Sequence, residues 1–245
     1  MNTPSEFRAD SLAAESSGKP AVRKVLVWDA PVRIFHWLMV LSFTGAYLTA
    51  ESERWRLMHV TLGYTMAGLV AFRLLWGFVG TRHARFASFV RGPAAVAHYL
   101  KGLVSKRSEQ GPGHNPAGAL AIIALLGMTA VVTAAGWATY NDIGGNCLEE
   151  LHEGAANVML AIVGVHVAGV LLSSWLHRDN LIGAMVTGRK LARPEDAIRS
   201  AWRSVAVLML VAVLGFWWMQ WNSGAPTGVA NGAGAFSKKH DRDDD

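Results

Sequence analysis

The sequence predicts an all-α integral membrane protein. Three observations carry that expectation. Of 245 residues, 51% are hydrophobic and only 17% are charged, and the mean hydropathy is positive at +0.24, which is outside the usual balance of a soluble domain. The apolar residues gather in five stretches, each close to the ~20 residues a helix needs to cross ~30 Å of hydrocarbon. Tryptophan is abundant, and Trp28, Trp55, Trp137, Trp175, Trp202 and Trp221 fall near the ends of those stretches, where interfacial aromatics sit.

Residues 1–24 are polar and lack an apolar signal core, so a disordered cytoplasmic tail is expected there. The first span covers roughly residues 32–50, VRIFHWLMVLSFTGAYLTA. After a short turn, ESERWR, the second covers roughly 57–79 and holds one internal charge, Arg73. A loop over 80–114 follows. Its SFVRGPAAVAHYLKGLV stretch suits a short interfacial helix, apolar on one side and basic on the other. GHNP then reads as a helix start, with Asn115 as N-cap and Pro116 in the first turn. The third span, roughly 116–138, has no charge between Asn115 and Asn141; the fourth covers roughly 151–176. Residues 191–222 hold a linker and the fifth span, roughly 203–221, and 223–245 read as a disordered tail.

Basic residues sort by side. The arm up to Arg33 carries five, the loop 80–114 six and the loop 177–203 six, whereas the segment YNDIGGNCLEELHE carries none. Lys and Arg gather on the cytoplasmic face, so the N-terminus is expected inside and the C-terminus outside. The net charge of +5 is then a topology signal, and no nucleic-acid partner is implied. The single cysteine, Cys147, excludes an intrachain disulfide and a cysteine metal cluster. His83, His98 and His114 fall in the basic loop and are expected to be solvated.

Four histidines lie in or at the edge of spans: His36, His59, His152 and His166. An ionisable residue inside a spanning helix is costly and usually has a partner and a role. His152 and His166 are fourteen residues apart, a rise of about 21 Å and nearly four full turns, so they share a face near opposite sides of the bilayer. Counted from the outer ends of the spans, His36 reaches the depth of His166, and His59 matches His152. Two imidazole pairs at two levels suit haem iron, which takes two axial nitrogens. Zinc prefers three or four ligands, and only the outer pair has carboxylates nearby, Glu149, Glu150 and Glu153. A proton relay is the other use of buried imidazoles, although it does not require matched depths. Haem carries propionates, and Arg33, one turn before His36, and Arg73, fourteen residues after His59, are the candidate cations. Gly45, Gly63, Gly68, Gly164 and Gly169 suit either a flat macrocycle or close helix packing.

These residues resemble a family. VWDAPVRIFHWL, LMHVTLGY, FRLLWGFVGTRHARF, GHNPAGAL and LHEGAANVMLAIVGVHVAG, running on to HRDNLIGAMVTGRK, are similar in order to the bacterial cytochrome b561 family, which includes the b-type cytochrome subunits of nickel–iron hydrogenases. The resemblance covers about residues 25–190. It implies a four-helix transmembrane bundle around two b haems, with the fifth helix outside that core. It also implies electron transfer between quinone and a partner redox protein, and His36, His59, His152 and His166 as axial ligands. The pairs expected are His36–His166 and His59–His152. A c-type cytochrome, or a hydrogenase or other dehydrogenase subunit, is the expected partner, with a haem-free proton-coupled transporter as the alternative from another class.

Overall fold

The computed structural model describes residues 22–89 and 116–223. The chain enters through strand β1 (Arg23–Leu26) and continues into α1 (Ala30–Thr49), a 3-10 turn at Glu53–Trp55 and α2 (Arg56–Val79). The short α3 (Phe86–Phe89) precedes α4 (Pro116–Tyr140) and α5 (Gly145–His177). Beyond α5 come α6 (Leu181–Thr187), strand β2 (Arg189–Ala192), a 3-10 turn at Pro194–Asp196 and α7 (Arg203–Ser223). The interfacial helix expected over 88–104, together with His98, His114 and the Asn115 cap, lies largely or wholly outside the described residues.

Among the described residues, four helical stretches are long and apolar enough to cross a membrane: Glu53–Val79, Gly118–Tyr140, Gly145–Leu176 and Arg203–Ser223. This is a multi-pass membrane protein. The first expected span, α1, is a helix of 20 residues, but Arg33, His36, Ser42 and Tyr47 dilute its apolar character. It runs antiparallel to α2 from end to end, through Val32 against Trp76, Leu38 against Leu69 and Ala46 against Leu62.

The long helices form an up-down-up-down bundle. α1 lies on α2, α2 on α4 and α4 on α5, while α7 packs on the outside of α1 and α2. There Met209 meets Leu38 and Leu69, and Trp217 Nε1 donates to Thr65 Oγ1 at 2.9 Å. The fifth helix is therefore tied to the bundle by a hydrogen bond within the apolar layer.

One end is closed by a cap that the all-α expectation did not contain. β1 and β2 pair antiparallel, with Arg23 opposite Ala192 and Leu26 opposite Arg189. RKVL and RKLA are four residues each, too short for periodicity to announce them. Gly188 turns the chain into β2 at φ +78, and a Cβ there would stand 2.6 Å from the Trp28 carbonyl. Its own carbonyl accepts from Val27 N and Trp28 N. Lys190 is buried and pairs with Asp179 at 3.1 Å.

Two sequence expectations fail in this cap. His83 is buried, because its Nε2–H donates to the Asp196 carbonyl at 2.8 Å and its ring meets Trp28 edge-on. Trp28 is likewise buried, packed with Val25, Val27, Ala184 and Ala192. The other tryptophans expected at the interface stay exposed, Trp175 at 79%.

Candidate cofactor sites in the bundle

The far end of the bundle brings His59 of α2 and His152 of α5 together. Their ring centroids are 6.0 Å apart, with planes at 84°. Each ring is held by a different helix. His59 Nδ1 donates to the Ala46 carbonyl of α1 at 2.8 Å, and His152 Nδ1 donates to the Val132 carbonyl of α4 at 2.9 Å. The first carbonyl has no backbone donor because α1 ends there: Ala50 N bonds to Tyr47 O instead of reaching back to Ala46, whose oxygen also receives the Thr49 hydroxyl at 3.2 Å. The second is reached because residue 136 is glycine. A Cβ on Gly136 would stand 2.7 Å from His152 Cε1 and 2.8 Å from its Nδ1. With Nδ1 protonated and engaged on both rings, Nε2 keeps its lone pair on both.

The other level holds His36 of α1 and His166 of α5, half-buried and within electrostatic range of each other. Among the described residues, His36 Nδ1 is buried without a hydrogen-bond partner. His177 is the last residue of α5.

The candidate cations converge near this level, at the capped end. Asp29 is the N-cap of α1, its carboxylate accepting from Val32 N at 2.9 Å. It also accepts from Trp76 Nε1 at 3.1 Å and Thr81 Oγ1 at 2.6 Å. Arg33 and Arg73 both lie within electrostatic range of it. Arg33 Nη1 donates to the Val186 carbonyl at 2.6 Å, while Arg73, only 3% exposed, lies over the Phe86 ring at 4.9 Å. Arg33 Nε and Arg73 Nη1 remain buried without partners among the described residues, and such donors seek an anionic oxygen. Arg54 and Arg56, by contrast, are exposed.

The residues fit a bis-imidazole haem. Among the described residues, no three His, Cys, Asp or Glu side chains gather as a metal group, so each level offers imidazole pairs. A Cβ on Gly63, Gly68, Gly164 or Gly169 would meet nothing within 4 Å, which leaves open space along α2 and α5. Gly45 differs, since a Cβ there would stand 2.7 Å from Leu62 Cδ1. It serves the α1–α2 contact. Sequence reasoning missed Asp29 and Gly136. The Asp-x-Pro pattern of a helix start was available for the first. For the second no local signal exists, because the contact is with a residue sixteen positions away on another helix.

Residues 27–188 match the prokaryotic cytochrome b561 family. The chain belongs to the prokaryotic cytochrome b561 family. It is a membrane-bound b-type cytochrome, with b-type haem as its cofactor and electron transport as its work. Among its relatives are three proteins described as probable Ni/Fe-hydrogenase B-type cytochrome subunits. The one from Rhizobium leguminosarum bv. viciae is 22% identical, over 76% of this chain and 98% of its own. That of Escherichia coli K12 is 26% identical, over 66% of this chain and 88% of its own, and that of Azotobacter vinelandii is 31% identical, over 51% and 64%. No solved structure matches the chain.

Proposed function

We propose that this cytochrome b561 carries electrons across the bacterial inner membrane through two bis-histidine haems, one held by His59 and His152, the other by His36 and His166. The observation that carries this reading is the spacing of the first pair. Metal–imidazole bonds of about 2 Å on either side of one ion, plus the half-width of each ring, place two ring centres about 6 Å apart. That matches the 6.0 Å between His59 and His152. Bound haem supplies a one-electron ferric/ferrous couple whose potential follows ligands, hydrogen bonds and burial. The Ala46 and Val132 carbonyls fix the ring orientation and raise imidazole basicity at one level. Arg33 and Arg73 offer donors for carboxylate propionates at the other.

The same reading places the N-terminus and the β1–β2 cap in the cytoplasm and the C-terminus outside, following the basic loops. Quinone is the proposed exchange partner within the membrane. At the His59–His152 end, Asp142, Glu149, Glu150 and Glu153 are all exposed, a charge pattern that suits a basic partner such as a c-type cytochrome. The relatives' descriptions favour a second reading, in which the chain is the membrane anchor of a hydrogenase or related dehydrogenase. Co-purification of a dehydrogenase subunit from native membranes separates the two.

The decisive test is haem stoichiometry. Purified protein is expected to show low-spin b-type bands and two haems per chain. Replacing His152 with Ala removes mainly one haem and replacing His36 mainly the other. Equal loss of both from either variant refutes the pairing, and zero haem in the parent chain refutes the function.

A further inference from the structure

One layer of side chains lies between the two histidine levels. Met66 lies seven residues after His59, Phe43 seven after His36, and Met159 seven from both His152 and His166. Seven residues are close to two full turns and a rise of about 10.5 Å, so each points to the side its histidine occupies, midway between the two levels. The fold brings all three into one cluster, with Met128 of α4 packed against them. Met66 and Met159 are each 2% exposed, the least accessible side chains of that cluster. Met159 also packs against Thr129 of α4. The Thr129 hydroxyl, which donates to the Leu125 carbonyl at 2.7 Å, stands 3.8 Å from Met159 Sδ, and Thr129 is itself buried at 2%.

Resting on the two-haem reading above, we propose that Phe43, Met66 and Met159 form the septum through which electrons pass between the two haem levels. The step is a one-electron exchange. With haem bound at both levels, one iron would be oxidised as the other is reduced, and no bond would form or break. Transfer through a protein falls steeply where bonded and packed atoms give way to a void. Two long side chains and an aromatic ring, densely packed, are a continuous medium for it. The same packing excludes water from the middle of the bundle, keeping the two levels in separate, dry surroundings.

The test uses the full chain with its haems, in liposomes. A membrane-impermeant ruthenium photoreductant outside delivers one electron, and haem reoxidation by ferricyanide trapped inside is timed. Haem content and potentiometric titration are recorded alongside. Met66→Ala and Met159→Ala are expected to keep two haems and both midpoint potentials and to slow transmembrane transfer several-fold. Met159→Leu, which restores most of the volume, is expected to return the parental rate. Parental rates in both Ala variants overturn the proposal, as does a Met159→Leu variant as slow as Met159→Ala. Haem loss confined to the Ala variants makes the layer a packing element of the pockets and also overturns it. Fewer than two haems in the parent chain instead overturns the function on which the septum rests.

Discussion

Gly136→Ala separates helix stability from ligand placement in a single methyl group. In a helix interior, alanine is favoured over glycine by ~1 kcal/mol, so the substitution stabilises α4 if nothing stands in its way. At Gly136 the new Cβ meets the His152 ring, 2.7 Å from Cε1 and 2.8 Å from Nδ1. Holding that ring in place would cost about 1–3 kcal/mol of overpacking. His152 is half-buried, so the cheaper response is for the ring to swing away. That costs the Nδ1 hydrogen bond to Val132, about 0.5–1.5 kcal/mol net, which roughly cancels the helical gain. The haem-free chain should therefore unfold close to the parental temperature, while the haem between His59 and His152 is lost or shifts in potential. Gly127→Ala is the control on the same helix, since nothing lies within 4 Å of its Cβ; it should keep both haems and gain up to ~1 kcal/mol. The assay is haem per chain and a potentiometric titration, beside thermal unfolding in detergent. A Gly136→Ala protein with two haems and parental potentials would refute the reasoning.

Three further outcomes follow from the cap and the fifth helix. Asp29→Ala removes a helix cap and strands the Trp76 and Thr81 donors, so a loss of about 3 kcal/mol is expected in thermal or chemical unfolding; a loss below ~1 kcal/mol would mean the carboxylate is not the knot described. Lys190→Met or Asp179→Asn alone leaves a half-buried aspartate or a buried lysine without its counter-charge, so either should destabilise more than the double change does, and equal or additive losses in unfolding would count against a coupled pair. Trp217→Phe should lower stability by roughly 0.5–1.5 kcal/mol through its hydrogen bond to Thr65 while leaving haem content untouched; haem loss would place α7 in the cofactor architecture.

The bundle and the candidate ligands were legible in the chain because they rest on one-dimensional quantities. Apolar length marks the spans. A helical rise of 1.5 Å per residue converts the fourteen residues between His152 and His166 into two depths on one face, and the same arithmetic assigns partners to His36 and His59. Basic residues sorted by loop suggested sidedness in the same way. What depended on the fold is whatever involves contact between segments distant in sequence. Gly136 matters only because α5 places His152 against it, and the Ala46 carbonyl is available only because α1 ends beside His59. His83, expected to be solvated, and Lys190, counted only as one basic residue of its loop, are buried because residues 179–198 fold back over the ends of α1 and α2, where a backbone carbonyl and Asp179 satisfy them. Composition counts a charge or an imidazole without knowing its neighbour; burial and pairing are properties of two segments at once, so only the tertiary structure decided them.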